Sequence, residues 1–324
     1  MREEFGFEGK RLIVEAVHAQ EEFSEFMSSL QLKPPFIVKP NWICADRCHF
    51  TDPQILEWML RYLHTQGEVV LVESYSPRNT TTLRDLKLGA RVSDYERKRV
   101  RESEEDFLRG TGTKGVLEEL GIEYVNVAEE VLDGRTVDKE TVRGLVESKY
   151  PPVSRNELYG FLPTKLYGLR TGTFINLAKF KVFFTLCTKN MFGMIPEYVG
   201  YGSRLGAYHG KANRDLSQNI ADVNKIYRSI FNVIGIVEGV NSLSCNIGKE
   251  TGKYKSVFGY RYDALENKGL IYYCDDPLWL DAFIHQQCGK DPLEEEHLEL
   301  ASRVFGRWPP ELIEEAVKAG NPLE

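Results

Sequence analysis

The chain has 324 residues, of which 42% are hydrophobic and 27% are charged, and its formal net charge is -7 at pH 7. A chain of this length and composition buries a substantial core, which excludes a disordered protein. Nucleic acids and acidic membranes bind basic surfaces, so the negative charge argues against both classes of partner. The length allows either one large unit or two lobes.

The N-terminal residues and the cysteines of the sequence favour a cytoplasmic protein. The first residues contain no apolar core of the signal-peptide type, and no segment reaches the ~18 uninterrupted apolar residues of a membrane span. The six cysteines are scattered along the chain. A cytoplasmic protein does not need them as disulfides, so we expect most of them to be small buried side chains.

Short apolar runs that alternate with helical patterns indicate an α/β fold. The runs lie around residues 36–38, 69–72, 124–127, 174–177, 233–237 and 270–273, and such runs are typical of buried parallel strands. Between the first two, Asp52 and Pro53 begin a helix that ends at Gly67. We therefore expect mostly parallel sheets with flanking helices, arranged as two lobes around a cleft.

A turn-rich stretch near the middle of the chain predicts the boundary between the lobes. Pro151 and Pro152 lie at this point, and such residues favour turns and linkers. We expect an N-terminal α/β lobe over residues 1–150 and a C-terminal α/β lobe with a helical tail over residues 151–324. Residues from about 80 to about 120 alternate in charge, which is typical of a solvated helical insertion.

Polar residues recur at the points where the predicted strands end. They are Lys39 and Asn41 after the first strand, Glu73 and Ser74 after the second, Lys179 and Lys181 after the fourth, and Glu238 after the fifth. Each one alone is read as a cap or a surface charge. Ligands of open parallel sheets bind beyond the carboxyl ends of the strands. The recurrence therefore predicts a polar pocket that fixes a carboxylate or a phosphate.

A further motif gives the chain a resemblance to a known family. Residues 188–196 read Thr-Lys-Asn-Met-Phe-Gly-Met-Ile-Pro, and His209 follows them. Together with Lys-Pro-Asn at 39–41, Glu-Ser at 73–74 and Lys-Phe-Lys at 179–181, this order resembles the family of domain of unknown function 362 from about residue 36 to about residue 290. Where the family has a histidine after the paired lysines this chain has Phe183 or Phe184, and where it has an aspartate before a glycine this chain has Glu238.

These residues favour an enzyme that acts on a small anionic substrate in the cleft. Ammonium groups in a partly desolvated cleft attract a carboxylate or a phosphate more strongly than they do in water. The expected ligand-binding residues are Lys39, Asn41, Ser74, Lys179, Thr188, Lys189 and Asn190. The catalytic candidates are Glu73, His209, Glu238 and Lys181.

The sequence does not specify the reaction. Proton transfer beside a carbonyl or a carboxylate is the preferred class, because lysines can stabilise a developing oxyanion. The alternative hypothesis is a protein that binds a metabolite or a cofactor in the same cleft without turnover. The sequence identifies no particular cofactor.

A third hypothesis is a metal or redox role for Cys44, Cys48 and His49, joined by a carboxylate. The alternative is that the two cysteines are buried side chains, because cluster ligation takes about four thiolates. Many relatives in the resembled family carry a ferredoxin-like segment with clustered cysteines, which implies redox work. This sequence shows no such segment, so we expect an iron-sulfur cluster, where one is needed, to come from a partner protein.

Overall fold

The computed structural model describes residues 2–79, 92–181, 186–197, 204–245, 252–257 and 259–323. Within these residues the strands are β1 (Arg2–Phe7), β2 (Lys10–Ala16), β3 (Phe36–Lys39), β4 (Val69–Glu73), β5 (Glu123–Asn126), β6 (Thr173–Lys179), β7 (Asn232–Gly239), β8 (Ser242–Cys245), β9 (Tyr254–Lys255), β10 (Arg261–Glu266) and β11 (Leu270–Cys274). The helices are α1 (Gln20–Ser29), α2 (Pro53–Gln66), α3 (Asp94–Gly110), α4 (Thr113–Leu120), α5 (Val127–Leu132), α6 (Lys139–Glu147), α7 (Thr164–Gly168), α8 (Cys187–Asn190), α9 (Arg204–His209), α10 (Leu216–Ile230), α11 (Pro277–Gln287), α12 (Glu296–Phe305) and α13 (Pro310–Lys318).

Eight of the strands form one large sheet in the order β1-β2-β11-β7-β6-β3-β4-β5. The five strands from β7 to β5 pair in parallel, whereas β11 pairs antiparallel with both β7 and β2. The predicted α/β class with a mostly parallel sheet is confirmed. Strands from both sides of residue 150 join in this sheet, so the two-lobe cleft is not confirmed and the division into residues 1–150 and 151–324 stays a prediction.

Helices cover both faces of the large sheet. On one face, α1 to α4 pack against Phe36 and Val38 of β3. On the other face, α5, α6, α7 and α10 pack against Ile37, and α11 to α13 pack against Val237 of β7. Strands that are buried on both sides need apolar residues at consecutive positions, which explains the continuous apolar runs of the sequence.

Helix α2 has the ends that its sequence predicts. The Asp52 side chain accepts a hydrogen bond from the Gln54 backbone N–H, Pro53 occupies the first turn, and Gly67 ends the helix. An N-terminal cap of this kind stabilises a helix by about 1 kcal/mol. Among the described residues, no helix combines the length and the hydrophobicity that crossing a bilayer requires.

The charged segment near residue 100 forms helix α3. Ser93 and Glu96 make a reciprocal cap at its first turn, and most of its side chains are exposed. A helix with alternating charges keeps most of them in water, and its assignment as an insertion into an N-terminal lobe stays a prediction. Residues 80–91 of the predicted insertion lie outside the described part of the chain.

Strands β8, β10 and β9 form a small antiparallel sheet in that order. The sheet lies over the loop that follows β3. The Tyr262 hydroxyl donates to the Arg47 carbonyl at 2.9 Å, and the Val257 N–H donates to the Asp46 carboxylate at 2.7 Å. The Ser244 N–H also donates to the Phe180 carbonyl at 3.2 Å. The small sheet therefore fixes this loop beside the end of β6.

The chain changes direction across the large sheet between β3 and β6. From β3 it passes through α2 to β4 and then to β5, moving toward one side. It returns to the other side of β3 as β6 and continues to β7. This is a topological switch point, where open α/β sheets leave a crevice at the carboxyl ends of their strands. Lys39 ends β3 and Lys179 ends β6 at this point.

Gly172 allows β3 and β6 to approach each other at their amino-terminal ends. A Cβ atom at this position would lie 1.8 Å from the Pro35 carbonyl oxygen, which accepts a hydrogen bond from the Thr173 N–H at 2.9 Å. We expect Gly172→Ala to lower the free energy of unfolding by about 3 kcal/mol, because this backbone contact cannot relax cheaply. Urea denaturation measures the change.

Gly144→Ala is the matched control, because Gly144 lies in the middle of α6 with nothing within 4 Å of an added Cβ. This variant should be stabilised by up to about 1 kcal/mol, the helix-propensity difference between glycine and alanine. Equal effects of the two substitutions would contradict the close approach of the strands.

Candidate functional site

A buried ion pair joins the ends of β3 and β4. The Lys39 Nζ lies 2.7 Å from the Glu73 Oε2, and both side chains are at most 3% exposed. The Lys39 ammonium also donates to the Pro40 carbonyl at 2.9 Å, and the Ser74 N–H donates to the Glu73 Oε1 at 2.9 Å. Burial lowers the pKa of Lys39 to about 8. The pair therefore anchors the two strand ends against each other.

Asn190 connects this pair to the end of β6. Its side-chain Oδ1 accepts from the Lys39 Nζ at 3.0 Å and from the Asn41 Nδ2 at 2.8 Å. The Asn41 Oδ1 in turn accepts from the Lys181 Nζ, which also donates to the His49 carbonyl at 3.2 Å. One network of hydrogen bonds thus runs from Glu73 to Lys181 across the switch point.

Helix α8 holds Lys189 and Asn190 in place, although it is only one turn long. The Asp281 carboxylate of α11 accepts from the Cys187 and Thr188 N–H groups at 2.8 and 2.7 Å. The Asn176 Nδ2 donates to the Cys187 carbonyl at 2.7 Å. Burial raises the pKa of Asp281 to about 7. Asp281 and Asn176 therefore support the site, and sequence reasoning did not identify either of them as site residues.

The glycine of the Lys-Asn-x-Phe-Gly motif packs directly on the buried pair. A Cβ atom on Gly193 would lie 2.6 Å from both the Glu73 Oε1 and the Lys39 Nζ. Any larger side chain would displace either the paired side chains or the 3-10 helix Met191–Met194. The motif thus has a packing reason for its glycine as well as a hydrogen-bonding reason for Asn190.

Lys179 and Glu238 form a second buried pair on the neighbouring strands. They are register partners in β6 and β7, and the Lys179 Nζ lies 3.0 Å from the Glu238 Oε2 with both side chains at most 1% exposed. The Glu238 Oε1 accepts from the Asp52 N–H at 2.9 Å. Burial raises the pKa of Glu238 to about 7. This carboxylate therefore ties the start of α2 to β7.

Lys189, Phe192 and His209 form a half-buried group beside the network. The Lys189 Nζ lies 4.1 Å from the centre of the Phe192 ring, and the His209 ring meets Phe192 edge to face at 5.2 Å. Burial lowers the pKa of Lys189 to about 7, and repulsion from Arg204, Lys181 and Lys39 adds to the shift.

The same surroundings affect His209. Burial lowers the pKa of its imidazole to about 4, and repulsion from Lys189 contributes. Its Nδ1 lies 3.0 Å from the Asn213 Oδ1, and because this oxygen only accepts, Nδ1 carries the proton. A pKa of about 4 leaves the imidazole of His209 neutral at physiological pH.

The site contains more positive than negative side chains. Three of the cations have carboxylate partners: Lys39 with Glu73, Lys179 with Glu238, and Arg204 with Glu197. In the described residues, Lys181 and Lys189 have no carboxylate within ion-pair distance. Arg204 also donates to the Gly193 and Ile195 carbonyls, both at 3.0 Å. Sequence reasoning did not identify Arg204 or Glu197, because neither one follows a strand.

The site residues that the sequence predicts come together to different degrees. Lys39, Asn41, Glu73, Lys181 and Asn190 share the network, and Ser74 adjoins it by accepting from the Glu197 N–H at 3.1 Å. Lys179 and Glu238 form the second buried pair, and Thr188 lies in α8. Lys189 and His209 belong to the half-buried group. Phe183 and Phe184 lie outside the described residues. The catalytic and ligand-binding roles of all these residues stay predictions.

The candidate metal ligands come together in part. Cys44, Asp46 and His49 each offer one ligand atom, and these atoms lie within 4.8 Å of one another. Cys48 is buried but does not belong to this group of ligand atoms. The carboxylate of the expected set is thus Asp46, from the same loop.

Replacing Lys39 tests whether the buried pair anchors the strands. Lys39→Met leaves the Glu73 carboxylate buried without its counter-ion, so we expect the free energy of unfolding to fall by about 3–5 kcal/mol in urea denaturation. The double variant Lys39→Met with Glu73→Leu should lose less, because it leaves no unpaired charge.

Lys165→Met is the control, because Lys165 and its partner Glu68 are 38% and 54% exposed. An exposed pair contributes about 1 kcal/mol or less. Equal losses of the free energy of unfolding in Lys39→Met and Lys165→Met would contradict the anchoring role of Lys39.

Comparisons with known proteins identify the family of the chain. No curated protein and no solved structure matches it. A family model described as "Domain of unknown function (DUF362)" matches residues 37–286. This span covers most of the chain and includes every element of the network around Asn190. The chain therefore belongs to the family of domain of unknown function DUF362.

Proposed function

We propose that the protein binds a small carboxylate- or phosphate-bearing molecule between Lys181 and Lys189, and that Lys189 exchanges a proton with it. The observation that carries this proposal is the pair of ammonium groups without a carboxylate partner among the described residues. Their position supports it, because Lys181 follows the carboxyl end of β6, Lys189 lies in α8 next to Asn190, and ligands of α/β sheets bind at such a switch point.

The energetic cost of Lys189 supports a ligand rather than a structural role. An ammonium group that is partly desolvated beside Arg204, Lys181 and Lys39 is repelled by all three and destabilises the folded protein. An anion would replace this repulsion with attraction in a medium that screens charges less than water does. Side chains that reduce stability in the free protein are typical of functional sites.

Ion pairing favours Lys189 over the carboxylates as the group that moves a proton. A pKa of about 7 leaves Lys189 in both of its forms near neutral pH, as a general acid or base requires. Glu73 and Glu238 are engaged in buried pairs with Lys39 and Lys179. These two carboxylates would hold lysines in place, and neutral His209 would accept a hydrogen bond only from a ligand that carries a hydroxyl group.

The affinity for sulfate tests the binding site through its pH dependence. Lys181 and Lys189 attract an anion only as ammonium groups, and burial lowers their pKa values to about 8 and about 7. The association constant should therefore fall by roughly tenfold per pH unit above about 7 and more steeply above about 8. Isothermal titration calorimetry from about pH 6 to about pH 9 measures the association constant. Sulfate keeps its own charge over this range, so a change in affinity reports the titration of the protein alone.

Two variants serve as controls for this experiment. Lys189→Arg stays charged throughout, so its sulfate affinity should change less with pH than that of the natural protein. Lys290→Met removes an exposed lysine of the loop after α11 and should leave the affinity unchanged. A pH profile that is the same for the natural protein and for Lys189→Arg would rule out Lys189 as the titrating group.

Lys189→Met separates a binding role from a structural one. The folded-state pKa of Lys189 lies below its unfolded value, so its charge disfavours the fold at every pH below about 7. The variant should therefore lose sulfate binding and yet be more stable than the natural protein at acidic pH. A variant that is less stable and binds sulfate normally would overturn the proposal.

Deuterium exchange tests the proton transfer itself. The amine of Lys189 would take a proton from the carbon next to the carboxylate or carbonyl, and a deuteron from D2O would return to that carbon. Proton NMR of short carboxylic and 2-oxo acids in D2O detects this exchange. We expect it with the natural protein and not with Lys189→Arg, because a guanidinium does not act as a base.

The outcome also decides between an enzyme and a protein that binds without turnover. Exchange that disappears in Lys189→Arg while sulfate binding remains would support the enzyme. Acids that bind to the natural protein but never exchange would overturn the proton transfer and favour the non-catalytic binding protein.

A further inference from the structure

The geometry points to a site for one divalent transition-metal ion in the loop after β3, formed by the Cys44 thiolate, the Asp46 carboxylate and the His49 imidazole. The three ligand atoms lie within 4.8 Å of one another. Cys44 and His49 are buried, and Asp46 is partly exposed at the surface of the loop. This inference goes beyond the anion site and does not depend on it.

The spacing of the ligand atoms fits a tetrahedral metal. Ligands at about 2.0–2.3 Å from zinc lie roughly 3.3–3.8 Å from one another. The His49 Nδ1 and the Asp46 Oδ2 lie 3.8 Å apart, and the third atom needs to move by at most about 1 Å to reach the same spacing. An ion can therefore enter with small side-chain movements.

The small sheet holds the imidazole in the orientation that a metal needs. The His49 Nε2 lies 3.0 Å from the Ser244 Oγ of β8, and the Tyr262 ring of β10 lies against the imidazole with 4.0 Å between the ring centres. Metal-ligating histidines are typically fixed in this way through the nitrogen that does not bind the metal. The nitrogen that faces Asp46 is Nδ1.

The Asp46 carboxylate is also positioned from outside its own loop. Its Oδ2 accepts from the Val257 N–H at 2.7 Å. The segment after β9 thus holds Asp46, whereas β8 and β10 hold His49. Ligating carboxylates commonly have such hydrogen bonds. Ser244, Tyr262 and Val257 therefore provide the second layer of contacts that separates a metal site from a chance cluster.

The charges favour a divalent ion with one thiolate ligand. A thiolate and a carboxylate together neutralise two positive charges, which matters here because the Lys181 ammonium donates to the His49 carbonyl at 3.2 Å. Thiolate, imidazole and carboxylate are the ligands that zinc takes in proteins. Three protein ligands leave a fourth coordination position open to water or to another ligand.

Titration with Co²⁺ and Zn²⁺ tests the site in the full-length chain. The protein is treated with a chelator and a reductant and then kept without oxygen, since thiols oxidise readily. We expect one Co²⁺ per chain, with the visible absorption of tetrahedral cobalt and a thiolate-to-cobalt charge-transfer band. Zn²⁺ should displace Co²⁺, in line with its preference for this geometry.

Three variants assign the ligands. Cys44→Ser should abolish the charge-transfer band, and Asp46→Asn should weaken the Co²⁺ affinity by at least about tenfold. Cys48→Ser is the matched control, because Cys48 is a buried cysteine of the same loop outside the ligand group, and it should leave the band unchanged. Circular dichroism checks that each variant folds.

The inference is overturned if the natural protein binds no Co²⁺, or if the band disappears in Cys48→Ser and remains in Cys44→Ser. Asp46→Asn decides the matter where Cys44→Ser does not fold, because Asp46 is partly exposed and the substitution keeps its shape. Sulfate binding is measured on the metal-free protein, so failure of one site is distinguishable from failure of the other.

Discussion

The structure depends on one buried contact, the ion pair between Lys39 and Glu73. Two charged groups that are buried away from water are stable only as a pair with further hydrogen bonds. Pro40, Ser74 and Asn190 supply these bonds. Those bonds bring in the segment after β6, and Gly193 then closes over the pair. The ends of β3, β4 and β6 are held together because none of the buried charges can be left unsatisfied.

In the described part of the chain, the region next to this contact contains more positive than negative side chains. Glu73, Glu238 and Glu197 neutralise three cations, whereas Lys181 and Lys189 have no carboxylate partner in the described residues. A protein selected for stability alone would replace such lysines with apolar residues of similar size, often at no loss. An anion beside buried Lys181 and half-buried Lys189 would supply the missing negative charge, as proposed above.

Local features of the sequence predict the local features of the fold. Asp52, Pro53 and Gly67 mark the ends of α2, and polar residues at strand ends mark the carboxyl edge of the sheet, because both signals depend on neighbours in the chain. Asp281 is different: it caps Cys187 from 94 residues away. No periodicity reveals such a contact, and the same holds for the small sheet that covers Asp46.

The two-lobe arrangement illustrates the same limit. Pro151 and Pro152 indicate a turn, but a turn does not say which strands will pair. The pairing of Phe36 with Thr173 puts strands from both halves into one sheet, and this is set by the burial of both faces. The candidate site was within reach of sequence reasoning because parallel strands end at one edge wherever they come from.

The pairing of β3 with β6 also has a consequence for synthesis of the chain. A nascent chain that has emerged as far as residue 150 can pair β3 with β4, yet the other edge of β3 has no strand beside it until residues 173–179 follow. An apolar strand with an open edge is prone to pair with other chains. The first half of this protein therefore emerges from the ribosome with an open apolar edge that is vulnerable to aggregation, and the arrival of β6 closes that edge.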